Sequence, residues 1–415
     1  MRIWIVSLYE PLPINGIGIK PLRSSILSKF LAALGHEVEL WIPGFEHVHH
    51  EHYKKESVEE LISHNLSVQY LKGFGYKNDI SFSRYFHNRT IAREFKKVAR
   101  LRNKKPDLIL THIPTLELAE AVIDYAKDHD VPVVIDILDL YPDNYKRILP
   151  WPLKNAYKIL FFNEIKRLKK ILRGSISITA CSKSYLDWAI KYSGRIRSKL
   201  DTVFYLGTDD KDDIHFTEQE VLDIKKRFSI PLNGFYIFFA GTFGLYDLKT
   251  IFYCAEIFER NNINDVHFIL AGKGAGQSWV EKKANSIKNL SYVGWLSSID
   301  MNLFLEFADV GLAPYVEGAL MSMPNKPFDY MASGLPIVNS LRGELNEFIT
   351  ENRIGLFYEG GNSTSLYTAI EYLYKNQEIS REMGRRSREI FKNNFTKQSI
   401  YVKFSKYLTG LLQAK

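Results

Sequence analysis

Phe235-Tyr236-Ile237-Phe238-Phe239-Ala240-Gly241-Thr242-Phe243-Gly244 is an apolar run that stops on a glycine-bounded turn. A short run with no polar alternation reads as a strand buried on both faces, the condition of a parallel sheet covered by helices. The residues beyond it agree. Leu248 to Phe258 has helical spacing, Val266 to Ala271 is a second strand, and Gly272-Lys273-Gly274-Ala275-Gly276 closes that strand. Val310 to Ala313, then Ile337 and Val338, continue the alternation. Parallel neighbours need a crossover between them, so this order predicts a βα-repeating domain.

The first half of the chain repeats the pattern. Ile3 to Leu8 reads as a strand, followed by a Pro- and Gly-rich loop from Pro11 to Gly18. Leu22, Ile26, Leu27, Phe30, Leu31 and Leu34 then recur at helical spacing up to Gly35, and Val38 to Ile42 is the next strand. Leu108 to Leu110, Val131 to Ile137 and Ser177 to Ala180 read as further strands, with a helix over Leu116 to Tyr125. Two such series predict an α/β protein of two Rossmann-like domains with a cleft between them. The polar stretch Asp209 to Asp213 marks the junction, giving domains 1–208 and 209–397. Residues 398–415 carry Ile400, Phe404, Tyr407, Leu408, Leu411 and Leu412 on one helical face, which completes the second domain or packs back on the first.

At 415 residues and 46% hydrophobic, the chain has ordinary globular composition and exceeds one usual core. Its two cysteines, Cys181 and Cys254, stand apart, which argues against a disulfide framework or zinc site and for a reducing compartment. The start, Met1-Arg2-Ile3-Trp4-Ile5-Val6, is too short an apolar run for a signal peptide, and no stretch is long enough to span a bilayer. A cytoplasmic protein is expected. The net charge of +8 favours anionic partners without choosing among them.

Glycines after strands let backbone amides and a following helix N-terminus approach an anion closely. Gly16 and Gly18, Gly241 and Gly244, and the loop that Gly272 opens are placed for this, although each also suits a plain tight turn. A GlyXGlyXXGly fingerprint with its ribose acid does not appear cleanly, which lowers a dehydrogenase reading. More informative is Ser322-Met323-Pro324-Asn325-Lys326-Pro327-Phe328-Asp329-Tyr330-Met331-Ala332-Ser333-Gly334-Leu335-Pro336-Ile337-Val338. Pro324 suits a first helical turn and Gly334 a C-cap. Lys326 and Asp329 fall three apart on one face: a lysine suits a diphosphate and a carboxylate suits ribose hydroxyls. Residue types alone leave a solvated ion pair equally open.

This segment resembles the donor-site signature of the retaining family 4 glycosyltransferases of GT-B fold, in the branch with Pro-Asn-Lys-x-x-Glu-Tyr-Met-Ala-x-Gly-x-Pro-Ile. The resemblance runs along nearly the whole chain, through Arg23, Gly35-His36-Glu37-Val38, Asp136-Ile137-Leu138-Asp139-Leu140-Tyr141-Pro142-Asp143, Cys181-Ser182-Lys183, Leu206-Gly207-Thr208-Asp209, Gly343-Glu344 and Gly355. It implies that Asp329 stands for the family's ribose-binding Glu, and that Gly241, Thr242, Gly244 and Gly272 line the diphosphate beside Asn325 and Lys326. Gly16, Gly18 and Arg23 would form the phosphate and acceptor loop of the first domain. His112, in Thr111-His112-Ile113-Pro114, matches the family's active-site His-x-Pro, and Asp139 is a candidate acceptor-proton base, with a donor phosphate oxygen as the other.

The chain departs from the pattern in two places. Met321 stands where the family often has a second Glu, with Glu317 the nearby substitute. Thr242 and Phe243 follow the glycine turn where many members carry cations, leaving Lys249 as the nearest. Lys326 then becomes the main diphosphate cation, and lysine with helix dipoles takes the place of a metal. The resemblance implies no cofactor, no metal, and transfer of a hexose or N-acetylhexosamine, from UDP on family frequency, to a saccharide or polyprenyl-linked acceptor in surface polysaccharide synthesis. The alternatives are a UDP-N-acetylglucosamine 2-epimerase-like isomerase and a non-catalytic sugar-binding protein.

Two basic stretches, Arg93 to Lys105 and the aromatic-rich Tyr145 to Arg173, suggest peripheral contact with an anionic membrane, against the alternative of ordinary solvated helices. No nucleic-acid motif accompanies the charge.

Overall fold

The computed structural model describes residues 1–11, 21–47, 49–78, 81–147, 149–244 and 246–413. The chain divides into two compact units, Met1–Tyr205 with Ile400–Lys415, and Leu206–Ser399. The division comes at Tyr205, slightly ahead of residue 208.

In the first unit the strands are β1 (Arg2–Val6), β2 (Glu37–Pro43), the short pair β3 (Phe45–Glu46) and β4 (Glu51–His52), β5 (Val58–Ser63), β6 (Leu66–Leu71), β7 (Leu108–Ile113), β8 (Val133–Ile137), β9 (Ser177–Ala180) and β10 (Thr202–Val203). Eight of them form one sheet in the order β10-β9-β8-β7-β1-β2-β6-β5. Every pair is parallel except β5 on β6, which closes the edge as an antiparallel strand. Ile3, Ile5, Leu40, Val68, Leu110 and Val134 fill the core on one face. The C-terminal helix Lys397–Gln413 supplies Tyr401, Phe404, Leu408 and Leu411 to that same core. Phe404 stacks on Phe204 with ring centres 4.2 Å apart. The apolar face of the last helix therefore completes the first unit, not the second.

The second unit has β11 (Phe235–Ala240), β12 (Val266–Ala271), β13 (Leu290–Tyr292), β14 (Val310–Ala313), β15 (Ile337–Asn339) and β16 (Gly355–Phe357). They form a wholly parallel sheet in the order β13-β12-β11-β14-β15-β16. The chain winds outward from β11 through β12 and β13, then jumps back to β14 on the other side. In the first unit the same reversal lies between β1 and β7. At such a reversal the connecting loops part, and ligands bind outside the carboxyl ends of the strands. Topology thus points to the ends of β11 and β14 in one unit, and of β1 and β7 in the other.

Candidate functional site

At the carboxyl end of β11 the backbone turns through Gly241. A methyl group there would stand 2.8 Å from the Phe239 ring, 2.9 Å from the Tyr246 ring and 2.9 Å from Cε of Lys326. The glycine leaves room for a lysine side chain arriving from the helix Asn325–Ala332. Lys326 Nζ lies 4.7 Å from the centre of the Tyr246 ring and 5.7 Å from that of Phe239. Its ammonium has aromatic faces beside it but forms no ion pair among the described residues, so the solvated pair with Asp329 is not made. Burial pushes its pKa down to about 8, with the Asp329 charge opposing the shift. A half-buried cation beside ring faces, with no ion pair among the described residues, is set up to meet an anion.

Nearby helix starts differ in what they can still bind. The helix Leu248–Arg260 follows β11, but the Asp247 carboxylate caps it, accepting from the Thr250 amide and hydroxyl and from the Gly361 amide. An anion there would meet a carboxylate already in place. The helices Asn325–Ala332 and Glu344–Asn352 start without a side-chain cap, on Pro324 and Gly343. The Ser322 hydroxyl donates to Glu344 Oε2 at 2.6 Å, which brings these two starts together. Amides at a helix start attract negative charge. By the same criterion the Glu344–Asn352 start is disfavoured, because Glu344 and Glu347 stand in its first turn, whereas Asn325–Ala332 has no acid there and carries Lys326. The start of Asn325–Ala332, and not that of the helix after β11, offers the anion site.

The remaining residues read from the sequence fall into three groups. Asp329 is half-buried and Asn325 exposed on the helix that carries Lys326. Thr242 and Gly244 are exposed in the turn after β11, whereas Phe243 between them is buried in the core. Lys249 is exposed in the first turn of the capped helix. Gly272 is buried with φ +141°, and a methyl group on it would lie 1.9 Å from the Gly241 carbonyl oxygen, so it serves the close passage of the two glycine loops. Glu317 is exposed and lines a cavity of about 170 Å³ with Ser340, Leu341 and Arg342 at the ends of β14 and β15.

In the first unit, Gly16 and Gly18 lie outside the described residues. Arg23 is not a free loop cation. It is buried in the first turn of the helix Arg23–Ala33, where Nε donates to Asp136 Oδ2 at 2.7 Å and Nη1 to the Tyr205 carbonyl at 3.2 Å. Its guanidinium also stacks on Phe404 at 4.9 Å. Burial alone would raise the Asp136 carboxyl, but the Arg23 charge overcomes it and holds the group well below the usual carboxylate range. His112 stands at the end of β7 with Nδ1 3.3 Å from Asp136 Oδ2 and Nε2 2.9 Å from the Ser24 hydroxyl. Glu10 accepts from the Leu22 and Ser24 amides at 2.9 and 3.1 Å and so occupies the start of this helix as well. His112 is therefore held in one orientation, 5% exposed, just under the surface at the reversal point.

Beside it, Asp139 lines a cavity of about 950 Å³ with Tyr9, Arg84, Thr115, Tyr141 and Tyr145. Its carboxylate accepts from the Leu140 amide at 2.7 Å and from Asn144 Nδ2 at 2.9 Å. Burial nevertheless raises its pKa against those two hydrogen bonds. A carboxylate of raised basicity facing an aromatic-walled cavity is equipped to accept a proton. Among the described residues no group of three His, Cys, Asp or Glu is placed to hold a metal ion, and no helix is long and apolar enough to cross a membrane.

Sequence reasoning missed Phe239 and Tyr246, which make the lysine pocket, and Asp136 and Ser24, which hold His112, with Glu10 on the Ser24 amide. The one available signal was Asp136 inside the buried strand run Val133–Ile137, where a charge requires a partner.

Two Rossmann-like units with these strand orders define the GT-B fold. Residues 234–376 match the family described as glycosyl transferases group 1. Over 130 residues the chain is 25% identical to the chitobiosyldiphosphodolichol beta-mannosyltransferase of Kluyveromyces lactis, covering 30% of this chain and 28% of that protein. The chain thus spans little more than a quarter of the curated relatives it matches. The crystal structure of Anabaena HepE in complex with UDP superposes with a TM-score of 0.65 at 14% identity, covering 99% of this chain and 100% of that one. A glycosyltransferase from Rickettsia africae superposes at 0.68 with 15% identity over 100% of both chains.

Proposed function

We propose that this chain is a retaining glycosyltransferase that moves a hexose or N-acetylhexosamine from a nucleotide diphosphate, UDP by preference, to a saccharide or lipid-linked alcohol. The observation that carries the reading is Lys326, a half-buried lysine with no ion-pair partner among the described residues, beside Gly241 at the strand reversal of the second unit. The bond from the anomeric carbon to the diphosphate oxygen breaks and a bond to the acceptor oxygen forms. Negative charge grows on the departing diphosphate, and Lys326 with the uncapped start of Asn325–Ala332 stabilises it without a metal. Asp329, on the Lys326 helix, takes the ribose hydroxyls. In the first unit, Asp139 accepts the proton that the acceptor loses, and His112 contacts the sugar or its leaving phosphate.

The preference for UDP is supported by HepE, which was crystallised with UDP and with UDP-glucose. A lipid-linked acceptor is supported by the name of the Kluyveromyces lactis relative. The test is to incubate the protein with UDP- and GDP-sugars, with and without a membrane lipid extract. Acceptor-dependent release of UDP is expected. Isomerisation of UDP-N-acetylglucosamine without acceptor would replace this reading by an epimerase, and binding without turnover would replace it by a sugar-binding protein.

A further inference from the structure

Between Pro150 and Gly174 the first unit exposes a cluster of large apolar side chains. Two short helices, Trp151–Asn155 and Tyr157–Leu160, lead into the longer helix Phe162–Gly174. The long helix buries Leu168, Ile171 and Leu172, and the short helices are pinned by Tyr157, whose hydroxyl donates to Asp143 Oδ1 at 2.7 Å. Trp151 is nevertheless 78% exposed and Ile159 81%, with Leu153, Leu160 and Phe162 also exposed. One exposed apolar side chain needs no explanation; five within twelve residues, on an anchored scaffold, do.

The charges of this segment are nearly all of one sign. Glu164 is its one acid against seven cations. Arg167 and Lys170 are taken up by Glu117, Glu120 and Asp124 of the neighbouring helix. Lys154, Lys158, Lys166 and Lys169 are exposed and form no ion pair among the described residues. The other basic stretch differs, since its Lys96 pairs with Asp124 and its Arg102 with Glu39 and Glu59.

Lysine is depleted from the centres of protein–protein interfaces, whereas Trp, Phe and Leu interleaved with Lys are the composition of a surface lying in a bilayer headgroup region. We propose that Trp151, Leu153, Ile159, Leu160 and Phe162, with Lys154, Lys158, Lys166 and Lys169, seat the first unit on a bilayer rich in anionic phospholipid. The apolar side chains enter the acyl boundary and the lysines meet the phosphates. The cavity lined by Asp139 adjoins this surface: Tyr145 lines the cavity and packs on Phe161 with ring centres 5.7 Å apart. A docked first unit holds that cavity close to the lipid. The proposal rests on the surface alone and stands or falls apart from the transferase reading.

The test uses the full chain and vesicles of phosphatidylcholine, with or without an equal share of phosphatidylglycerol. The chain is expected to sediment with the anionic vesicles, less so in high salt. The combined Trp151→Ser, Ile159→Ser and Phe162→Ser variant is expected to lose about tenfold or more in vesicle affinity while keeping its melting temperature. Combined Lys154→Gln and Lys158→Gln should weaken binding to anionic vesicles only. Equal sedimentation of variant and parent chain overturns the proposal. So does a chain that ignores anionic vesicles, or one whose apolar surface is found buried in a dimer that the triple variant dissociates.

Discussion

Lys326 Nζ and the Tyr246 ring centre lie 4.7 Å apart, and Gly241 leaves the space in which they meet. The pair comes from two segments far apart in the chain, and it turns an exposed-looking lysine into a half-buried one. An ammonium so placed costs folding energy and returns it only when an anion arrives. Lys326→Met is therefore expected to leave the melting temperature unchanged or higher. Its affinity for UDP, measured by calorimetry, should fall about tenfold to a hundredfold, the usual worth of a hydrogen bond to a charged group. A lower melting temperature with unchanged UDP affinity would assign the lysine to structure alone.

The same lysine makes a pH prediction. Its pKa is lowered from 10.5 to about 8 by burial. Between those values the unfolded chain holds a proton that the folded chain has released, so this residue makes stability rise with pH across the window. Below about 8 both states are protonated and the desolvation penalty is present in full. UDP binding runs the other way, because it needs the charged form and weakens above about pH 8. Calorimetry and denaturant unfolding between pH 7 and 10 should show both trends, and Lys326→Met should show neither.

Arg23 and Asp136 give a prediction of opposite kind. Their buried pair, 2.7 Å apart, spans the first helix and β8. Asp136→Asn leaves a buried guanidinium without its counter-charge and should cost about 3–5 kcal/mol in denaturant unfolding. Arg23→Met with Asp136→Leu together should cost much less than the sum of the single changes, because no charge is stranded. Since the Asp136 carboxyl is held low, its contribution is present at neutral pH. It is lost as pH falls through the unfolded and then the folded value.

What the sequence made legible follows from burial. β11, β12 and β14 lie in the sheet interior and read as almost wholly apolar runs, so their limits were plain. β5 escaped notice because it is an exposed edge strand of mixed polarity, Val58-Glu59-Glu60-Leu61-Ile62-Ser63. β6 hides the buried polar residues Ser67 and Gln69, the latter bonded to Arg102, which breaks the apolar pattern. At the site, the Lys326 and Asp329 spacing could be read, but the desolvation of Lys326 depends on Phe239 and Tyr246 from another segment. Arg23 looked free because its partner is 113 residues away. Local pattern reveals which face of an element is buried; it does not reveal what arrives from elsewhere to meet it.

The proposed role of Asp139 is to take the acceptor's proton. Its carboxylate keeps two hydrogen bonds, from the Leu140 amide and Asn144, and burial still raises its pKa. Asn at this position keeps the shape and an acceptor oxygen but has no basicity. Asp139→Asn should therefore lower acceptor-dependent UDP release about a hundredfold, a usual share for general base catalysis, with UDP affinity unchanged. Because the group's pKa is raised, the parent chain's rate should fall on the acid side as pH drops through that raised value, and the variant's residual rate should lack this limb. If the variant retains most of its turnover, the proton passes to a donor phosphate oxygen and Asp139 only shapes the cavity. If UDP affinity falls in parallel with turnover, the change has reached the donor side, and the separation of roles between the two units is wrong.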